Sequence, residues 1–363
     1  MRFPEFHGEW EKCKLGDIAT GFDYGMNAPA KVFDGVNKYI RITDIDEASS
    51  TYNDSDIVSP DGTLADTYLV NERDILLART GASTGKSYLY KKTDGKLYFA
   101  GFLIRANVPE HNSYFVFSQL HTHRYWKWVS IMSARSGQPG INSQEYSSFP
   151  IYTTSIQEER KISKLLSLLD ERIATQSKLI EKFESLIKGI AHKVSKQGKS
   201  NIRLSECLKC SSSTLQESDV KEVGAYPVYG ANGVVGHLDT YATADDAIYI
   251  IKDGSGVGSV SYVKGKCSAT GTLNILQAKE GFSLRYLYFM LQVFRFEPYK
   301  TGMAIPHIYF KDYGKAKIYC PTYELQCKYA DMLSAIDQKI IAERQMLTNL
   351  NSQKQYLLRQ MFI

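Results

Sequence analysis

Residues 76–89, LLARTGASTGKSYL, set two glycines, a lysine and a serine after an apolar run, the residue types that a nucleotide-binding loop uses to hold phosphates. The phosphate-binding P-loop needs four residues between its glycines, so that backbone amides wrap the phosphates and the lysine reaches them. Gly81 and Gly85 have only three between them. A second stretch, IYIIKDGSGVGSVSYV at 248–263, repeats the layout of apolar strand, basic residue, glycine loop and alternating strand. Setting Gly81 on Gly254 also sets Gly85 on Gly258, but it puts Lys86 on Ser259 and Ser87 on Val260. The glycines recur and the phosphate-reaching lysine does not. The shared feature is a backbone shape, a tight strand-to-strand turn needing positive φ or close approach to something outside. Nucleotide hydrolysis is therefore not expected.

Other catalytic chemistries fare no better. Of the cysteines at 13, 207, 210, 267, 320 and 327, only Cys207 and Cys210 have the C-x-x-C spacing, and a zinc site needs two more ligands at similar spacing. Aligning KLGDIATG (14–21) with RLSECLKC (203–210) puts Cys207 on Ile18, which reads as a buried apolar substitute. His121 and His123 have no visible partners and read as ordinary surface histidines. No catalytic residue, cofactor or metal is expected.

The elements that position these loops come in two copies. With 363 residues and 43% apolar content, the chain has material for two cores. No run of about 18 apolar residues suggests a membrane span, and MRFPEFHGEW lacks a basic-then-apolar signal, so a cytoplasmic protein is expected. The net charge of +5 divides into −2 over residues 1–154, +4 over 155–200, +2 over 201–321 and +1 over 322–363. That balance permits nucleic-acid binding without demanding it. Each copy reads as a globular region followed by a long helix. Runs such as KYIRITDI and AIYIIKDG suggest strands, while YFVFSQLHTHRYWKWV and LRYLYFMLQVFRF suggest helices, so the expected class is α+β. The expected division is 1–154 and 201–321 for two similar domains, with 155–200 and 322–363 for two long spacer helices.

From Ile162 the apolar steps run four, three, four, three through Leu166, Leu169, Ile173, Gln176, Ile180, Phe183, Ile187, Ile190 and Val194. Adding 167 gives Tyr329, Leu333, Ile336, Ile340, Glu343, Leu347, Leu350, Lys354, Leu357 and Met361. A heptad seam this narrow wants a second helix, and the equal-length partner in the chain is the other copy, so an antiparallel intramolecular coiled coil with a pseudo-two-fold repeat is expected. Two separate amphipathic helices, each packed on its own domain, are the simpler alternative. Gln176 and Glu343 are equivalent polar positions near the seam's midpoint and are expected to meet and fix its register. Ser155 with Glu158 has the form of a capping box. At 1.5 Å per residue, about forty residues of helix span roughly 60 Å, enough to hold two domains apart.

With the repeat in view, nearly the whole chain resembles the specificity subunit of type I restriction-modification systems. The likeness rests on LLARTGASTGKS with IIKDGSGVGS, on the loops SGQPGINSQEYSSFPI and TGMAIPHIYFKDYGKAKI, and on the helix openings IQEERKISKLLSLLDERI and YELQCKYADMLSAIDQKI. The family's usual Glu-Gln pair reads Glu158, Glu159 in the first copy and Leu325, Gln326 in the second. The resemblance implies two target-recognition domains on an antiparallel helical spacer. It also implies recognition of an asymmetric, two-part sequence in double-stranded DNA, with chemistry left to adenine methyltransferase (modification) subunits and restriction/translocase subunits. A coiled-coil scaffold with two binding domains and no DNA role is the competing reading. For DNA contact, base reading needs Arg, Lys, Asn, Gln or Ser side chains beside the glycine loops. That selects Arg79, Thr80, Ser83 and Lys86, with Arg135, Gln138 and Asn142 from the second loop of domain one. In domain two it selects Lys252, Ser255, Ser259, Lys300 and His307, with Tyr229 and Asn232. The basic face of the first long helix, Lys161, Lys164, Lys178, Lys182 and Lys188, fits DNA phosphates, a partner subunit or solvent alone.

Overall fold

The computed structural model describes residues 2–134, 137–302 and 305–362. Two mixed α/β domains carry the same central motif, a four-stranded antiparallel sheet. In the first the strand order is Thr20–Tyr24, Leu103–Asn107, Asp74–Ala78, Ser87–Leu89; in the second it is Leu208–Ser212, Leu273–Ala278, Ala247–Ile251, Val260–Val263. The inner strands DILLA and AIYII are covered on both faces, which is why they read as continuous apolar runs rather than alternating ones. Each domain closes on itself with a short antiparallel pair, Glu11–Lys14 with Pro150–Thr153 and Ile202–Arg203 with Lys317–Ile318. A one-turn helix follows, Leu15–Ile18 or Leu204–Cys207. Cys207 is fully buried, its thiol against the Leu204 carbonyl, in the place Ile18 takes in the first copy.

Short helices cover one face of each sheet. Ser113–Gln119 begins at Asn112, whose side chain accepts from the Phe115 N–H, and Leu284–Gln292 begins at Ser283, which accepts from Tyr286. The two long helices run Ile156–Ser195 and Tyr323–Met361. Ser155 accepts from the Glu158 N–H at 3.4 Å, but the expected capping box does not close. The Glu158 carboxylate turns instead to Arg2 at 2.7 Å and Thr154 at 2.6 Å.

The chain forms two compact units, Met1–Ser177 with Met346–Ile363, and Lys178–Gln345, so each unit takes a part of both long helices. In the first unit, Ile162 and Leu166 share a core with Leu358, Met361 and Phe362. Asp170 meets Lys354 at 2.6 Å. In the second unit Glu184 pairs with Arg344, and Gln197 accepts from the Tyr329 hydroxyl. The expected seam positions on both helices are all buried or half-buried, whereas the off-seam Leu168 and Leu186 are each 47% exposed.

Candidate nucleic-acid interface

The glycine loops close the two sheet hairpins with one set of main-chain bonds. Gly85 N donates to the Ala78 carbonyl and Gly81 N to that of Pro139; in the second copy Gly258 N donates to Ile251 and Gly254 N to Pro306. The glycines sit at φ +69°, +93°, +96° and +91° for Gly81, Gly85, Gly254 and Gly258, conformations that L side chains rarely adopt. Residues beyond the glycines complete the match. Ile141 N donates to Arg79 O and Ile308 N to Lys252 O, both at 2.9 Å, so each second loop is pinned to its hairpin. In the first domain two buried tyrosines hold the turn from beneath. The Tyr125 hydroxyl donates to Gly85 O, and the Tyr146 hydroxyl donates to Ala78 O while accepting from Gly85 N.

The candidate residues fall around these hairpins in different states. Thr80 bridges to Gly140, which brings Gln138 beside Gly81. Gln138 is exposed and Ser83 half-buried. Lys86 is only 18% exposed and pairs with Glu47 at 3.3 Å. Asn142 caps the helix Ser143–Ser147, accepting from the Glu145 N–H in a closed capping box, so its amide oxygen is committed to that turn. Arg135 lies outside the described residues. In the second domain His307 bridges to Asp253 in the main chain and through a 2.7 Å side-chain contact, tying the second loop to the hairpin. Ser255 is exposed at the hairpin tip, and Lys252 is half-buried. Ser259 lines a cleft with Glu184, Lys188 and Arg344 of the long helices. Lys300 pairs with Glu297 at 2.7 Å. Tyr229 packs edge-on against Tyr249, and Asn232 is exposed in the turn before Gly233.

Arg79 stands apart. Its guanidinium lies 4.7 Å over the Tyr24 ring, Nη1 reaches the Gly101 carbonyl at 3.5 Å, and no carboxylate among the described residues pairs with it. It lines a cleft of about 630 Å³ with Tyr24, Asn27, Arg41, Thr43 and Phe102. Arg41 in the same cleft is held in a fork by Asp44 at 2.8 Å and by Asp56, which raises its pKa. Tyr24 also joins the two loops. Its hydroxyl hydrogen-bonds Ser143 Oγ and accepts from Ser143 N, each at 3.3 Å, and these bonds hold its pKa below the ordinary phenol value. Tyr24 and Phe102 lie outside the glycine loops and were not among the candidates. The aromatic in GFDYGMN was the available signal.

The glutamates at the opening of the first long helix are internal. Glu158 and Glu159 are fully buried: Glu158 accepts from Arg2, Trp10 and Thr154, and Glu159 from the Asn112 N–H at 2.8 Å. Gln326, the counterpart of Glu159, accepts from the Ser283 N–H at 3.0 Å. Burial opposes ionisation of Glu158, yet the bonds from Arg2, Thr154 and Trp10 outweigh it and keep the carboxyl below its ordinary value.

Fold and loops together define an internally duplicated α/β protein, in which one sheet-and-hairpin motif recurs with different side chains. The chain belongs to the family described as Type I restriction modification DNA specificity domain, whose model matches residues 7–185 and 199–352. A putative type I specificity subunit of Mycoplasma genitalium is 25% identical over 234 residues, 58% of this chain and 61% of that protein, so the match covers less than two thirds of the relative. The crystal structure of the type I restriction-modification S subunit from M. genitalium superposes with a TM-score of 0.67 at 19% identity, covering 98% of this chain and 96% of that one. A chain from a study of complex assembly and conformational transition of the type I R-M system superposes at 0.54 and 16% identity, covering 96% of both chains. Those two structures share the fold. Among the described residues no helix is long and apolar enough to cross a membrane, and no group of His, Cys, Asp and Glu is arranged to hold a metal ion.

Proposed function

We propose that this chain is the non-catalytic, sequence-reading subunit of a cytoplasmic type I restriction-modification complex. Each domain reads one half of an asymmetric, two-part target in double-stranded DNA. Adenine methyltransferase and restriction subunits, brought to the site by this chain, perform the chemistry. In this reading the segments 155–200 and 322–363 form an antiparallel coiled coil with a pseudo-two-fold axis, with Gln176 and Glu343 on its seam. The length of that spacer, not base contact, sets the unread gap. DNA has its own pseudo-two-fold axis, so an antiparallel spacer offers each domain to its half-site in the same way, and unequal loops make the target asymmetric.

The observation that carries the proposal is the repeated loop pair. Identical main-chain bonds fix the hairpin and second loop in both copies, while Arg79, Thr80 and Gln138 in one stand where Lys252, Asp253 and Ile305 stand in the other. A reader of two different sequences needs a constant frame with variable side chains. The test is the methylation pattern of the complex assembled with its modification subunit. Wild type should methylate one bipartite motif, binding should weaken steeply with salt, and Arg79→Ala should relax one half of the motif and leave the other. A complex with no sequence preference at any salt concentration refutes the proposal.

A further inference from the structure

Arg79 is built as a fork rather than as a bare charge. An arginine can fork onto a phosphate as well, but phosphate oxygens surround a tetrahedral centre and accept from many directions, so fixing the guanidinium plane beforehand adds little there. Reading guanine is different: two parallel N–H bonds to O6 and N7 need the guanidinium plane fixed in advance. Here the plane is held over the Tyr24 ring at 4.7 Å and by Gly101 O at 3.5 Å. Tyr24 is itself anchored through its hydroxyl to Ser143, at the start of the helix that follows the second loop. The second cation lining the cleft, Arg41, is neutralised by Asp44 and Asp56, which leaves Arg79 to face an incoming base edge without a competing charge. Phe102, 58% exposed, stands at the same cleft, and its carbonyl accepts from the Arg79 N–H at 3.0 Å.

We infer that Tyr24 is a specificity-determining positioning residue of the first domain, holding the Arg79 guanidinium flat in this cleft so that it reads a single guanine in the major groove. The inference rests on the DNA-reading function proposed above. Arg79 touches the base, and Tyr24 acts through Arg79. At the equivalent place in the second domain Lys252 replaces the arginine, and a lysine has no planar fork to hold.

The experiment uses the complex assembled with its modification subunit, a DNA library randomised over one half-site at a time, and binding measured at several salt concentrations. Arg79→Ala and Tyr24→Leu should both lose roughly tenfold to a hundredfold discrimination at the same single guanine position, and Tyr24→Leu should leave the salt slope unchanged. Arg79→Lys keeps the charge and should lose the discrimination as well. Tyr24→Phe keeps the ring and should retain most of it. Tyr24 is 41% exposed, so these variants should unfold at the wild-type midpoint by tryptophan fluorescence, which reports on the first domain. Full discrimination in Tyr24→Leu or Arg79→Lys overturns the inference. So does relaxation at different positions in Tyr24→Leu and Arg79→Ala, or uniform weakening over all sequences in Arg79→Ala, the mark of a phosphate contact. In each of those cases the wild type still selects a sequence. A wild type that selects none overturns the parent proposal instead.

Discussion

Replacing Glu159 tests whether the opening of the first long helix serves the domain it leaves. Its carboxylate is fully buried and accepts from the Asn112 N–H at 2.8 Å, from the Thr154 N–H at 3.4 Å, and makes a 2.8 Å contact with His111 Nδ1. Asn112 in turn caps the helix Ser113–Gln119. Glu159→Leu fills the space but orphans the Asn112 N–H, and an unsatisfied buried donor costs about 1–3 kcal/mol. With the weaker Thr154 bond also lost, we expect a net destabilisation of about 2–3 kcal/mol. Glu159→Gln keeps an amide oxygen in place, as Gln326 does when it accepts from Ser283, and should cost under about 1 kcal/mol. Urea unfolding followed by tryptophan fluorescence isolates the effect, because Trp10, Trp126 and Trp128 all lie in the first domain. A leucine variant within about 0.5 kcal/mol of wild type, or a glutamine variant as unstable as the leucine one, refutes the reasoning.

His121 is not the partnerless surface histidine expected from the sequence: it is held down to about 4, chiefly by burial and then by the nearby Lys354 charge, and its Nδ1 donates to the Phe117 carbonyl, so Nε2 accepts from the Ser50 hydroxyl. Its folded value lies below the unfolded one, so the neutral ring stabilises the fold fully above about pH 6.5, and this is lost as pH falls toward 4, by at most about 3 kcal/mol. His121→Asn should flatten that part of the stability–pH curve, and an unchanged curve contradicts the assignment. Gly85→Ala sets a Cβ at φ +93° and 2.7 Å from Val129 Cγ1 and should cost more than about 2 kcal/mol, whereas Gly254→Ala, at φ +96° with nothing within 4 Å, should cost about 1 kcal/mol. Thermal unfolding that ranks the two the other way contradicts the packing account. Asp170→Asn and Lys354→Met should show a coupling of about 1 kcal/mol in a double-mutant cycle, and additive effects mean that the 2.6 Å pair contributes nothing.

How much of this was legible in the sequence depended on whether a feature is written in a residue type or in a meeting of distant residues. The glycine turns were legible, because only glycine takes positive φ without strain, and all four do. Burial of the heptad positions followed from their spacing, and Cys207 from its alignment with Ile18. The cap at Asn142 was legible as well, since N-S-Q-E is a capping-box pattern and the side chain caps. The Lys86–Glu47 pair and the Arg79–Tyr24 stack join residues tens of positions apart, and no local pattern announces them. The buried role of Glu158 and Glu159 was masked by their charge, since two adjacent carboxylates at a helix start ordinarily face water.

The two copies differ where difference is cheap. The bonds that both copies share between hairpin and second loop run from backbone to backbone, Gly81 to Pro139 and Arg79 to Ile141, Gly254 to Pro306 and Lys252 to Ile308. A main-chain frame makes no demand on the side chains projecting from it, apart from glycine at the positive-φ positions. Arg79 can therefore become Lys252, and Gly140 can become His307, without loss of the loop's own bonds. The core beneath is less permissive: Tyr125 and Tyr146 hold the first hairpin by hydroxyls, while at the second Phe296 lies against the Gly258 position. Stability is thus vested in residues that never reach the surface, and the tip is left to vary. Substitutions at the exposed Gln138, Ser255 and Asn232 should then leave unfolding within about 0.5 kcal/mol of wild type, as surface changes usually do, and any effect they have should fall on what the loops bind.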